Sequence, residues 1–100
     1  MKKITLNAFI SEQKKNDPEF AEHYQRELLI NEISKMVVSL RKSAHLTQEQ
    51  LAKKASTTQP VIARIESGTD DRIPSLELLA RIAKASHAEL HLSFKQDKKF

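Results

Sequence analysis

The chain has 100 residues, no cysteine and a formal net charge of +4. This length suits one domain with one modest core, and without cysteine the chain forms neither a disulfide framework nor a thiolate metal site. No apolar run approaches the roughly 20 residues of a membrane span, and the first residues lack the long apolar core of a signal peptide, so we expect a cytoplasmic protein.

The basic residues are unevenly distributed along the chain. Residues 1–32 hold five Lys/Arg and six Asp/Glu, a net charge of −1, whereas residues 33–100 hold twelve and seven, a net charge of +5. A nucleic-acid partner requires positive charge where phosphates are neutralised, so the second part of the chain is the better candidate for such a site. A basic balance is also ordinary for a small Lys-rich domain, and charge alone therefore decides nothing.

The N-terminal part divides into a polar segment and a long helix. Residues 1–17 are predicted to be a flexible segment, and they hold an apolar cluster at Ile4, Leu6, Phe9 and Ile10. Asp17-Pro18-Glu19 is a strong helix start, because Pro suits the first turn and acids favour the N-terminus. Apolar residues then recur at mostly four-residue steps as far as Leu40, which predicts one helix over 18–43 or two helices with a break near 28–31.

Three shorter helices are predicted over residues 47–54, 58–66 and 75–86. Thr47 suits the N-cap of the first, and Gln50 lies three residues later, as a capping box requires. Thr58 suits the N-cap of the second, where Pro60 is tolerated in the first turn. Gly68 can end that helix because it adopts positive φ without a steric cost. Two short capped helices around a polar turn are typical of a helix-turn-helix.

The C-terminal segment has a different periodicity. In residues 88–95 the apolar side chains Leu90, Leu92 and Phe94 alternate with polar ones, which predicts a strand. A lone strand leaves its backbone groups unpaired, so we expect it to pair antiparallel with the same segment of a second copy. A homodimer also suits a chain with so small a core. The predicted organisation is an N-terminal segment (1–17), a helical domain (18–87) and a C-terminal strand and tail (88–100).

Residues 33–87 resemble the Xre/Cro-type helix-turn-helix family of phage repressors. The family motifs stand here as LTQEQLA from Leu46, IARIESG from Ile62 and PSLELLARIAKA from Pro74. The resemblance implies an all-α, five-helix, lambda-repressor-like domain that binds double-stranded operator DNA. His45 and Ser56 occupy places where the family usually has glycine, and Thr57 replaces a common apolar residue. A left-handed conformation at such positions costs about 1 kcal/mol, so these departures concern the turn geometry.

The resemblance assigns candidate DNA contacts, because the first residues of the second motif helix face base edges in the major groove. The candidates for base reading are Gln59, Pro60, Val61 and Arg64; the alternative is that they are solvated surface residues. Phosphate contacts are expected at the start of the preceding helix and in nearby turns, from Thr47, Gln48, Lys53, Thr57, Thr58, Thr69 and Arg72. By resemblance, Arg41 at the end of the first core helix forms an ion pair with Glu66.

The segment D-P-E-F at residues 17–20, leading into this kind of helix-turn-helix, is similar to antitoxins of the HigA type. That resemblance implies a cognate RelE/HigB-like ribonuclease toxin as partner, neutralised by an antitoxin dimer that also represses its own operon. An apolar cluster on a charged tether is typical of a segment that orders on binding, although it could also dock on its own domain or fray. The candidate toxin-binding residues are Ile4, Leu6, Phe9, Ile10, Phe20 and Tyr24.

Enzymatic function is not indicated. The four histidines are scattered, no nucleophile–base pair is visible, and one glycine cannot build a phosphate-cradling loop. We therefore predict no catalytic site, no cofactor and no metal. Two alternatives to the antitoxin stay open: a stand-alone phage-type repressor without a toxin partner, and an interaction module with a degenerate helix-turn-helix. Asp70, Asp71 and Pro60 slightly favour the latter, whereas the basic balance of residues 33–100 opposes it.

Overall fold

A computed structural model describes residues 18–96, except for the side chains of Pro18 and Phe20. Within this range the chain forms four α-helices: α1 (Pro18–Ser43), α2 (Gln48–Lys54), α3 (Gln59–Ser67) and α4 (Leu76–Ala85). The all-α class is therefore confirmed for the described residues, and the prediction of five helices is not. None of these helices is long and apolar enough to cross a membrane.

The first helix, α1, is continuous over 26 residues, so the alternative of two helices with a break is wrong. No Gly or Pro interrupts it after Pro18, and its charges suit the helix dipole. Glu19 lies in the first turn, and Arg41 and Lys42 lie in the last. Its second half, through Ile33 and Val37, contributes to the core.

The caps of the shorter helices explain their bounds, which lie within one residue of those predicted. Thr47 forms the predicted capping box: its Oγ1 accepts from the Gln50 amide at 3.1 Å, and the Gln50 side chain accepts from the Thr47 amide at 2.9 Å. Thr58 is the N-cap residue of α3, but its side chain makes no capping hydrogen bond. Helix α3 instead begins with Pro60 in its first turn, where a missing amide proton costs no intrahelical bond.

Three helix C-termini end in the same backbone motif without glycine. His45, Ser56 and His87 have φ values of 57°, 56° and 59°. At each site the following residue donates its amide back across the last turn, as Thr57 does to the Ala52 carbonyl at 2.9 Å. This is the Schellman arrangement, which usually places glycine at the left-handed position. The two predicted departures from glycine, His45 and Ser56, are thus accommodated at a cost in backbone strain.

All four helices contribute to the core. The buried cluster consists of Ile33, Val37, Leu51, Ala52, Ala55, Ile62, Ile65 and Ile82. Leu40 and Leu79 are only half-buried. Leu79 packs against the edge of the cluster with Leu46, Val61, Leu78 and Ala85. This core fixes α3 between α1 and α2, with α2 also packed on α4.

The predicted C-terminal strand is absent from the single chain, since residues 88–96 form no regular element. A strand is defined by backbone hydrogen bonds to a neighbour, and no other segment of the described residues supplies one. Leu90 is half-buried, Leu92 is 62% exposed and Phe94 is fully exposed. The segment therefore presents two large apolar side chains to solvent.

Candidate nucleic-acid interface

Helices α2 and α3 and the four residues between them form the centre of the candidate interface. Left-handed Ser56 reverses the chain after α2, and Leu51, Ile62 and Ile65 bury the inner faces of the two helices in the common core. The N-terminal residues of α3 consequently start at the surface, beside the N-terminus of α2. The side chains around this junction determine which polar groups the first residues of α3 present to solvent.

An ion pair ties α3 to the end of α1. Arg41 Nε donates to Glu66 Oε2 at 2.7 Å and Arg41 Nη2 donates to Glu66 Oε1 at 3.0 Å, so the contact is bidentate. The third donor, Arg41 Nη1, binds the Leu46 carbonyl at 2.9 Å. Only 16% of the Arg41 side chain and 6% of the Glu66 side chain are exposed. The contact implied by the resemblance is therefore present, and it is largely shielded from water.

The charges of this pair stabilise one another. Burial by itself would raise the pKa of Glu66, but the hydrogen bonds from Arg41 and Gln48 outweigh it and hold that pKa below its ordinary value. The hydrogen bond to Glu66 in turn raises the pKa of Arg41. Both groups are thus charged at neutral pH, and neither can be removed without leaving its partner unpaired in a shielded site.

Two glutamines extend the ion pair to the first residue of α3. Gln48 Nε2 donates to Glu66 Oε1 at 3.0 Å, and Gln59 Nε2 donates to Gln48 Oε1 at 2.9 Å. We call Arg41, Gln48, Gln59 and Glu66 the Glu66 network. It uses one of the two amide protons of Gln59 and leaves the second proton and Oε1 for another partner. Adenine offers the matching acceptor and donor, N7 and N6, in the major groove.

The remaining base-reading candidates on α3 differ in exposure. Pro60 is exposed, whereas Val61 is half-buried and packs against the core. Arg64 is 44% exposed and its Nε lies 2.8 Å from Asp70 Oδ2. Asp70 also accepts from Arg72, through Nε at 3.2 Å and Nη2 at 3.0 Å. We call Arg64, Asp70 and Arg72 the Asp70 cluster, and the hydrogen bonds from Arg72 are the main reason that the pKa of Asp70 is lowered.

The phosphate candidates surround α3 on the surface. Gln48 is half-buried in the Glu66 network, and Arg72 is held by Asp70. Thr69 Oγ1 lies 2.9 Å from Ser67 Oγ just beyond the end of α3. Thr47 lies at the N-cap of α2 and Lys53 in its last turn, and both are exposed. In the turn before α3, Thr58 is exposed and Thr57 is half-buried.

Packing on α1 fixes the C-terminal end of α3. Buried Ser34 donates from Oγ to the Glu66 carbonyl at 2.6 Å. Gly68 follows with φ +67°, and a Cβ at this position would lie 3.2 Å from Asn31 Oδ1. A larger residue would therefore meet both a disfavoured backbone conformation and a close neighbour. The helix is consequently held at both ends.

Several functional contacts were not anticipated from the sequence. Gln48 was expected at phosphate but binds Glu66 and Gln59. Asp70 was considered only as slightly favouring a degenerate helix-turn-helix, whereas it pairs with Arg64 and Arg72. Arg81, not singled out at all, donates from Nε to the Ala55 carbonyl at 2.9 Å and so caps α2. Each contact joins different elements, and residue spacing carries no signal for it.

The other predicted sites are separate from this junction. Tyr24 is half-buried on the first half of α1, distant in sequence from the helix-turn-helix. The side chain of Phe20 and the residues Ile4, Leu6, Phe9 and Ile10 lie outside the described part of the chain. The structure therefore groups the DNA-reading candidates and leaves the toxin-binding candidates untested.

Residues 38–85 match the model of a protein family described as Helix-turn-helix. The match begins in the second half of α1 and ends with α4, so it spans the Glu66 network and the Asp70 cluster. This stretch is therefore similar to a helix-turn-helix domain, as the motifs between Leu46 and Ala85 lead one to expect. No curated protein and no solved structure matches the chain significantly.

Proposed function

We propose that the protein binds operator DNA sequence-specifically through α3 and represses transcription there. The observation that carries this proposal is the Glu66 network, which holds Gln59 at the start of α3 with two polar groups still available. Side chains fixed before binding lose less entropy when they meet a base edge. Arg64, one turn later, supplies a second donor suited to guanine. Pro60 and Val61 lie between them and can pack on a thymine methyl.

Phosphate binding is proposed for the surface around the two helices. The amides at the N-terminus of α2 favour an anion, and Thr47 at its N-cap and Lys53 in its last turn are exposed. Thr57, Thr58, Thr69 and Arg72 extend the same surface past both ends of α3. Contacts of this kind set affinity and register, whereas the base contacts from α3 set the sequence.

Base reading is tested by Arg64→Ala. We expect the ratio of operator to random-DNA affinity to fall about 10- to 100-fold, as for loss of one bidentate base contact. Arg26→Ala is the matched control, because Arg26 is an exposed arginine on the first half of α1. It removes the same charge and should leave the ratio unchanged. If Arg64→Ala weakens operator and random DNA equally in a fluorescence-anisotropy titration at fixed salt, so that the ratio is unchanged, Arg64 is a general phosphate contact.

We also propose that the protein acts as a homodimer joined by residues 88–96. The exposed Leu92 and Phe94 support this, because pairing this segment with its copy would bury them and satisfy its backbone groups. Two α3 helices would then read half-sites about 34 Å apart. Phe94→Asp should give a monomer in light scattering and weaken operator binding; a dimer of unchanged stability would place the interface elsewhere.

The finer proposal is that this repressor is an antitoxin for a RelE/HigB-like ribonuclease toxin. The D-P-E-F resemblance supports it, together with a part of α1 that precedes the helix-turn-helix match and exposes Leu29 and Met36. Candidate contacts are Phe20 and Tyr24 on that part of α1 and the apolar residues of the N-terminal segment, Ile4, Leu6, Phe9 and Ile10.

Co-expression with the neighbouring open reading frame tests the antitoxin proposal. A stoichiometric complex, with the neighbour toxic when expressed alone, is the expected result. Deleting residues 1–16 should then abolish the complex and spare DNA binding, whereas Arg64→Ala should do the reverse. A homodimer that retards its own promoter DNA without any partner would instead make the protein a stand-alone repressor.

A further inference from the structure

Asp70 lies at the centre of the only cluster in the described residues that joins α3 to the loop after it by side-chain ion pairs. One carboxylate serves two guanidinium groups: Arg64 through Nε at 2.8 Å, and Arg72 through Nε and Nη2. Asp70 also accepts from the Arg72 amide at 3.0 Å, which fixes its own position in the loop. Its side chain is only 14% exposed although both arginines are mostly at the surface.

The atom that Arg64 uses is informative. The contact is an ion pair in which Asp70 Oδ2 lies 2.8 Å from Nε, and among the described residues no hydrogen bond from Asp70 engages the terminal Nη1 and Nη2 groups, which therefore stay available for a second planar partner. Two parallel donors of this kind match O6 and N7 of guanine. A guanidinium group that is already oriented through Nε loses less side-chain entropy when it binds a base.

We propose that Asp70 is a positioning residue that aims Arg64 at a guanine in the operator. This inference rests on the proposed function, because it requires that Arg64 reads a base. Asp70 touches no base itself; it holds Arg64 Nε, and Arg72 in turn holds Asp70. The side chain that determines specificity at this base pair is therefore set by a loop residue outside the reading helix.

The charge balance of the cluster is compatible with DNA nearby. Two arginines share one carboxylate, so the cluster keeps a net positive charge of one, and phosphates are still attracted to it. Asp71 provides the contrast: it is exposed, and among the described residues no hydrogen bond holds it. The two neighbouring aspartates therefore carry the same charge but differ in contact with Arg64, and they form a matched pair for a test.

The experiment is selection of bound duplexes from a randomised DNA library by the full chain, followed by sequencing. Wild type, Asp70→Asn, Asp71→Asn, Arg64→Ala and the double variant Arg64→Ala/Asp70→Asn are compared at one salt concentration. We expect Asp70→Asn to reduce the preference for guanine at one base pair about 5- to 10-fold, part of the discrimination of a bidentate contact. Asp71→Asn should leave every preference unchanged, although it removes the same charge.

The double variant separates positioning from folding. If Asp70 acts through Arg64, the double variant should lose no more base preference than Arg64→Ala alone, since coupled residues are not additive. Thermal melting of each variant checks that the domain stays folded at the selection temperature. Should Asp70→Asn fail this check, Asp70→Glu replaces it: glutamate keeps the charge but displaces the carboxylate from Arg64 Nε, so the guanine preference should fall while random-DNA affinity holds.

Three results would overturn the proposal. An Asp70→Asn profile identical to wild type means that Arg64 needs no positioning, while the proposed DNA binding stands. If Asp70→Asn binds all sequences more tightly to the same degree, the Asp70 carboxylate only competes with DNA phosphates for the neighbouring arginines. A wild-type chain that selects no sequence at all removes the proposed function and this inference with it.

Discussion

Two of the base-reading candidates on α3, Gln59 and Arg64, are held in place by different contacts. Gln59 is held by a chain of contacts that passes through Gln48 and Glu66 to Arg41, and so reaches the shielded junction of α1 with α3. Arg64 is held by one carboxylate in the loop that follows the same helix. The proposed base reading at Gln59 should therefore be coupled to the stability of the fold, whereas the proposed base reading at Arg64 should be able to change independently. Substitutions at the two sites should therefore differ in their effects on melting and on operator binding.

The largest effect is expected from Glu66→Ala. This change leaves Arg41 without its partner in a mostly shielded site, and we expect the free energy of unfolding to fall by about 2 kcal/mol. That corresponds to a drop of roughly 10 °C in melting temperature for a domain of this size. Operator affinity should fall as well, since Gln48 and Gln59 lose their anchor. Melting and DNA titration on the same preparation measure both.

Glu77→Ala is the matched control for Glu66→Ala. Glu77 also pairs with an arginine, Arg81, but its side chain is 82% exposed and the pair spans one turn of α4. An exposed pair of this kind contributes about 0.5 kcal/mol or less. Equal effects of the two substitutions on melting would show that the Glu66 pair is an ordinary surface contact. An unchanged operator affinity in Glu66→Ala would show that base reading is not coupled to it.

The dependence of the melting temperature on pH should also show how far the ionised Glu66 carboxylate stabilises the fold. Because the pKa of Glu66 is lowered in the folded state, its ionised form stabilises the fold fully above its ordinary pKa of about 4.5 and progressively less as the pH falls through the folded value. Glu66→Gln cannot titrate. The difference in melting temperature between wild type and Glu66→Gln should therefore be constant near neutrality and shrink below about pH 4.5. A difference that stays constant down to acid pH would contradict this linkage.

The part of the molecule that was predictable from the sequence is the part set by local rules. Thr47 and Gln50 form a capping box because their spacing permits it, and Gly68 ends α3 because only its backbone adopts positive φ freely. The Glu66–Arg41 contact followed from family resemblance. The Asp70–Arg64 contact followed from neither, because it depends on how the loop after α3 turns back. The alternation of apolar and polar residues over 88–95 likewise indicates that one face of this segment is apolar. It carries no information about the segment that would pair with it.

Gln48→Ala should have an intermediate effect, confined to DNA binding. It removes the link between Glu66 and Gln59 but leaves the bidentate Arg41–Glu66 contact intact. We expect operator affinity to fall about 3- to 10-fold, which corresponds to the net contribution of one hydrogen bond. The melting temperature should change by a few degrees at most. Gln50→Ala is the control, since Gln50 belongs to the same helix but closes only the capping box. If Gln50→Ala loses operator affinity and Gln48→Ala does not, the capping box of α2, and not the hydrogen bonds of Gln48 to Glu66 and Gln59, supports base reading.

The smallest effect is expected from Ser56→Gly, in the turn between α2 and α3. Ser56 has φ of 56°, a conformation that costs a residue with a Cβ about 1 kcal/mol, part of which glycine loses again through its freer unfolded chain. The variant should therefore gain about 0.5 kcal/mol of stability. If side chains of the Glu66 network hold the start of α3, its operator preference should equal that of wild type. A changed preference in Ser56→Gly, at unchanged or higher melting temperature, would mean that the turn itself aims Gln59, and the two ends of α3 would then both depend on backbone geometry.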